Sequence, residues 1–245
     1  MERTKYKIIL LFLIFYSSSL FAGNRERIYL AYISGNMEEW RTVTDLLASA
    51  GPSDPQTLAE LVNYQYGYIG WCIGTGRNDE AKKYLGHAEN NLDKLEKIKE
   101  YRSLVLSYRS AFYGYRIGLN KLLAPVLGIK SYDSAREAIT LDKNNPMGYI
   151  QFGNIMFYVP KTLGGSKAEA LKYYLKAQEL MEKENASLSG DWNYLNLLTL
   201  IARTCTYIND YGRAKQYLEK ILETEPDFRW ARDELSKEIM NNNKK

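Results

Sequence analysis

From about residue 27 to residue 240, apolar side chains return every three or four positions. Leu171, Tyr174, Leu175, Ala177 and Leu180 form one such series, and Ala214, Tyr217, Leu218, Ile221 and Leu222 another. On an α-helix this spacing makes one continuous apolar stripe, wider than a coiled-coil seam. No stretch alternates strictly enough between apolar and polar to predict a strand. Pro52, Pro55, Pro125, Pro146, Pro160 and Pro226 all stand where the periodicity breaks, because proline removes a backbone donor and clashes inside a helix. Residues 142–145 ahead of Pro146, and Asp227 after Pro226, carry helix-start chemistry. Gly51, Gly164, Gly165 and Gly190 mark turns. The pattern predicts an all-α chain.

The stripes repeat in phase. The segments beginning at Cys72 and Cys205 each place an alanine nine residues later, at Ala81 and Ala214, and continue Ala-Lys-x-Tyr-Leu to Leu85 and Leu218. Ala170 to Ala177 is a third copy, Ala135 to Leu141 ends a fourth, and Gly35 to Trp40 is a degenerate first. The anchor position falls at Trp40, Ala81, Ser131, Ala170 and Ala214, spaced 41, 50, 39 and 44 residues. Such a period predicts stacked helical hairpins, the small residue letting the two helices of a hairpin approach. The hairpins are expected over about 25–50, 55–97, 101–142, 146–184 and 190–224, in a single domain closed by a capping helix over 228–240.

At these positions the chain resembles the tetratricopeptide repeat family. Gly153, Ala170, Tyr174 and Ala177 match its pattern of small and large residues, as do Ala202, Ala214, Leu218 and Pro226. Ala81, Leu85 and Ala88 match, and so do Gly114, Ser131, Ala135 and Ala138. Ile69, Ser131 and Ile221 depart from it, and the spacings exceed the family's 34 residues. The resemblance implies a right-handed superhelical stack of antiparallel hairpins with a concave groove. It also implies which side chains line that groove: Asn63, Tyr66 and Gly70; Tyr108 and Tyr115; Asn154, Phe157 and Tyr158; Asn196, Arg203 and Tyr207.

Residues 1–22 read differently. Arg3, Lys5 and Lys7 precede an unbroken apolar run over 8–16, then three serines and Ala22. A basic start, a short apolar centre and a small terminal residue make a secretory signal peptide, with cleavage expected after Ala22. The apolar stretch falls short of the roughly 20 residues that span a bilayer. The mature protein is therefore expected outside the cytoplasm, periplasmic or secreted, with no membrane span.

Composition narrows the chemistry. The chain is 45% hydrophobic and 25% charged, a globular balance, and its formal net charge of +4 is half supplied by residues 1–22. The excess is too small for a nucleic-acid footprint. Two cysteines and one histidine exclude the usual zinc sites. Cys72 and Cys205 share a phase on first helices three hairpins apart, so two buried, unpaired thiols are expected. His87 reads as a solvated helix position. Gly128-Ile-Lys130-Ser131 lacks the spacing of a phosphate loop, and the glycines at 74 and 76 fail the dinucleotide fingerprint.

No nucleophile, metal cluster or cofactor site stands out, so no enzyme and no cofactor are expected. A groove of tyrosine, asparagine and one arginine offers flat stacking surface and amide hydrogen bonds. The expected function is an exported scaffold binding a peptide or partner helix; the alternative is a periplasmic carrier of a small molecule, tied to transport.

Overall fold

The computed structural model describes residues 23–184 and 188–242; the leader expected over 1–22 lies outside them. Eleven helices, and no strand, occur among the described residues: α1 (23–34), α2 (Met37–Ser49), α3 (Pro55–Gly74), α4 (Asn78–Leu95), α5 (Arg102–Leu119), α6 (Ala124–Leu141), α7 (Pro146–Tyr158), α8 (Lys167–Glu184), α9 (Trp192–Tyr207), α10 (Tyr211–Thr224) and α11 (229–242). The last of these widens through a π-helical turn, Ala231–Leu235.

The helix starts follow from local chemistry. Asp54, Asn145 and Asp191 each cap a helix by accepting a backbone N–H from its first turn, and Pro55 and Pro146 occupy first-turn positions where a missing donor is harmless. The repeated segments at Cys72 and Cys205 fold into the same turn. Arg77 N–H donates to Cys72 C=O at 2.8 Å and Gly76 N–H to Ile73 C=O at 3.2 Å; Asp210 N–H donates to Cys205 C=O at 2.9 Å and Asn209 N–H to Thr206 C=O at 3.1 Å. Gly76 (φ 76°) and Asn209 (φ 63°) supply the left-handed residue that ends the helix, glycine and asparagine being the two that adopt it most readily.

Consecutive helices pair: α3 with α4, α5 with α6, α7 with α8 and α9 with α10. Each pair packs on the next, with α3 against α5 and α5 against α7. Ala81, Ala88, Ala135, Ala138, Ala170, Ala177, Ala202 and Ala214 are all fully buried, at the crossings where a larger side chain would hold the helices apart. At Gly153 the approach is closer still, for a Cβ there would lie 2.5 Å from the Tyr174 ring.

The two ends of the described chain also meet. The Tyr32 ring of α1 lies 5.8 Å from Trp192 of α9 and 4.9 Å from Phe228, between centroids. Trp40 of α2 meets Trp192 edge-on at 4.9 Å, and both indoles sit over Gly67 of α3. Tyr32 Oη donates to Asn196 Oδ1 at 3.4 Å and Tyr29 Oη to Glu225 Oε2 at 2.8 Å. Cys72 and Cys205 are both buried and unpaired.

Candidate functional site

The expected groove residues divide into an interior set and an edge set. Asn63, Tyr66, Tyr108, Tyr115 and Asn154 belong to one hydrogen-bonded interior. Asn63 Nδ2 donates to Tyr108 Oη at 2.7 Å and to Asn193 Oδ1 at 3.0 Å, while Asn63 Oδ1 accepts from Trp192 Nε1 at 3.0 Å. Tyr66 stacks on Tyr115 with centroids 5.6 Å apart and planes 18° apart, and Tyr115 Oη donates to the Tyr66 carbonyl at 3.1 Å. Gln151 Nε2 donates to Tyr66 Oη at 3.3 Å; Asn154 Nδ2 donates to Gln151 Oε1 at 3.0 Å and accepts Tyr174 Oη on its own Oδ1 at 2.7 Å. Among the described residues no buried side-chain polar atom lacks a partner.

This interior differs from the open lining the resemblance implies. Tyr66 and Tyr108 are buried, with Trp192 at the start of α9 packed against Tyr66 and bonded to the same Asn63 that holds Tyr108. Asn196 is covered too, its Oδ1 held by Tyr32 of α1. Burial pushes the Tyr66, Tyr108, Tyr115 and Tyr174 phenols upward, so they stay protonated and neutral, Tyr115 and Tyr174 donating and Tyr66 and Tyr108 accepting.

Beside the interior, between the starts of α3, α5 and α9, lies a cleft of about 300 Å³ that includes Arg25, Glu60, Asn63, Tyr108 and Asp191 in its walls. Burial raises the Glu60 carboxyl to about 7, against the opposing effect of the Tyr64 Oη hydrogen bond at 3.0 Å. Arg25 lies 3.6 Å from Asp191 across its mouth.

The edge set gathers where α7 and α9 end. Phe157 is half-buried, whereas Tyr158 is 69% and Tyr207 51% exposed. Both tyrosines meet Phe157 edge-on, at 4.9 Å and 5.3 Å between centroids. Lys167 Nζ, at the first turn of α8, lies 5.2 Å from the Phe157 centroid and 5.4 Å from that of Tyr207, within cation–π range. Arg203 pairs with Glu238 of α11 at 3.3 Å. Burial works against the Arg203 charge, but Glu238 and the neighbouring phenols of Tyr158 and Tyr207 outweigh it and raise its pKa. Phe157 and Tyr158 follow Asn154 along α7, so the patch continues from the interior network to the end of that helix.

Gln151, Trp192, Asn193, Lys167 and Glu238 complete these clusters without having been expected. Asn193 lies one turn before Asn196, and helical periodicity alone could have drawn it in; the others depend on tertiary packing. His87 is exposed on α4, outside both clusters. Among the described residues no group of three His, Cys, Asp or Glu could hold a metal ion, and no helix is long and apolar enough to cross a membrane.

The structure thus defines an all-helical protein whose tyrosine-rich, fully bonded interior opens at one edge on an aromatic patch flanked by cations. No protein-family model matches the chain, and no curated protein matches it. Among solved structures it is similar to the HusA haemophore from Porphyromonas gingivalis, with a TM-score of 0.61 over 75% of this chain and 92% of that one, at 20% identity. At that identity the likeness is one of fold.

Proposed function

We propose that the protein is an exported carrier of a flat, anionic small molecule, built on a curled tetratricopeptide-like stack of helical hairpins. The observation that carries the reading is the edge patch. Tyr158 and Tyr207 stand largely exposed around Phe157, with Lys167 over the Phe157 and Tyr207 rings and the Arg203–Glu238 pair beside them. Aromatic rings take a planar apolar body, each good contact contributing about 0.5–1.5 kcal/mol beyond burial, and Lys167, which has no carboxylate partner among the described residues, suits a carboxylate at its rim. The leader pattern of residues 1–22 supports export. The helix pairing and the contacts of α3 with α5 and α5 with α7 support the stack.

The fold shared with a protein named a haemophore makes haem, a planar macrocycle with two carboxylates, the first candidate cargo. Phenolate is a known ligand for ferric haem, which gives Tyr158 and Tyr207 a second means of holding it. A peptide scaffold is the weaker reading, since Asn63, Tyr66, Tyr108, Asn154 and Asn196 already bond one another or their neighbours. A peptide could reach them only by breaking those bonds. No chemistry of its own is assigned to the protein; binding is non-covalent.

Native mass spectrometry of protein taken fresh from the cell that produces it tests the proposal. A retained ligand of a few hundred daltons, or uptake of haemin offered to the emptied protein, is the expected result. A clean unliganded mass that haemin leaves unchanged would refute carriage.

A further inference from the structure

The α5–α6 turn carries an apolar stripe that the fold leaves uncovered. Leu122 is 87%, Val126 60% and Ile129 66% exposed; Leu122 stands in the turn just ahead of α6, and Val126 and Ile129, three residues apart, share a side of its opening turns. The buried residues of α6 begin only at Ser131; its first half overhangs the body of the protein. An exposed apolar cluster of this kind marks an interaction surface.

Charge says what covers it. Residues 114–132 contain no Asp or Glu, but they contain Arg116, Lys121 and Lys130. Arg116 is paired with Glu89; Lys121 and Lys130 have no carboxylate within ion-pair distance among the described residues. The neighbouring turn repeats the composition. Residues 155–168 are also free of acids, Leu163 is 76% exposed and Lys161 is unpaired among the described residues. α5 packs beside α7 as the first helices of consecutive hairpins, so the turns that follow them lie along one edge.

We propose that this edge docks on an anionic lipid surface, Leu122, Val126, Ile129 and Leu163 entering the headgroup boundary while Lys121, Lys130 and Lys161 meet lipid phosphates. Apolar side chains flanked by unpaired lysines match such a surface in both hydrophobicity and sign, and Asp133, one turn beyond Ile129, is paired with Arg136. A second copy of the chain is a poorer partner, because a two-fold pairing through this stripe would bring like lysine charges together. Docking would hold a carrier near the bilayer.

Vesicle flotation of the protein recovered after export provides the test. With vesicles containing phosphatidylglycerol the protein floats, with pure phosphatidylcholine it stays behind, and added salt weakens the association. L122Q/V126Q/I129Q, which keeps every charge, lowers the floated fraction at least ten-fold; K121Q/K130Q/K161Q abolishes the preference for anionic vesicles. All six side chains are exposed, and an unchanged circular dichroism spectrum verifies the fold. The proposal is overturned if the parent protein ignores both vesicles, or if the glutamine variant floats equally well. It is also overturned if the parent is a concentration-dependent dimer that the apolar-to-glutamine variant dissociates, which would assign the stripe to a second copy.

Discussion

Glu60 is the side chain whose surroundings most alter its behaviour near neutral pH. Burial beside Tyr64 raises its carboxyl to about 7, above the roughly 4.3 of an unperturbed glutamate. The folded chain therefore holds this proton more tightly than the unfolded chain does. Its stabilising contribution is complete below the unfolded value and is lost as pH rises through about 7. Glu60 is half-exposed, so solvent screening reduces the effect to about 1 kcal/mol. Thermal unfolding of E60Q against the parent at about pH 5 and about pH 8 measures this: the parent loses stability between the two values relative to E60Q. Parallel curves would mean that Glu60 titrates as an ordinary surface carboxylate. The cysteines are simpler: burial pushes both thiols to about 11, which suits their place as small apolar side chains.

Among the elements, close approach through small residues governs packing, and two glycines separate this from mere helix propensity. G153A places a methyl group 2.5 Å from the Tyr174 ring, forcing α7 from α8 at a cost of about 1–3 kcal/mol. G86A, in α4, meets no atom within 4 Å and stabilises by roughly 0.5–1 kcal/mol, since alanine loses less backbone entropy. Denaturant titration should show opposite shifts in midpoint; a destabilised G86A or an indifferent G153A would contradict the packing argument.

This level was the most legible in the sequence, because alanine and glycine at fixed phase report a local requirement. The paired segments at Cys72 and Cys205 predicted equivalent turns and fold with corresponding hydrogen bonds. The candidate site was legible only in part. The family resemblance assigns Tyr66, Tyr108 and Asn196 to an inner face, but whether that face is open depends on Tyr32, Trp40 and Trp192, whose contacts join residues far apart in the chain. Lys167 reaches Phe157 and Tyr207 only because the turn after α7 folds back.

For the whole molecule, the meeting of α1 and α2 with α9 turns what could have been an open groove into a bonded interior. Tyr158 and Tyr207, the two most exposed aromatic side chains among the described residues, stand together at one edge. A wide groove favours long partners, whereas a small aromatic edge beside Lys167 favours a compact planar anion. Titration of haemin into the parent protein and into Y158A/Y207A, followed by visible absorbance, tests this most directly. The parent is expected to give a saturable one-to-one spectral change, and the double variant, with unaltered helical circular dichroism, to bind at least about ten-fold more weakly, a difference of about 1.4 kcal/mol. No saturable change in the parent, or equal affinity in the variant, would contradict the assignment of the patch as the cargo site.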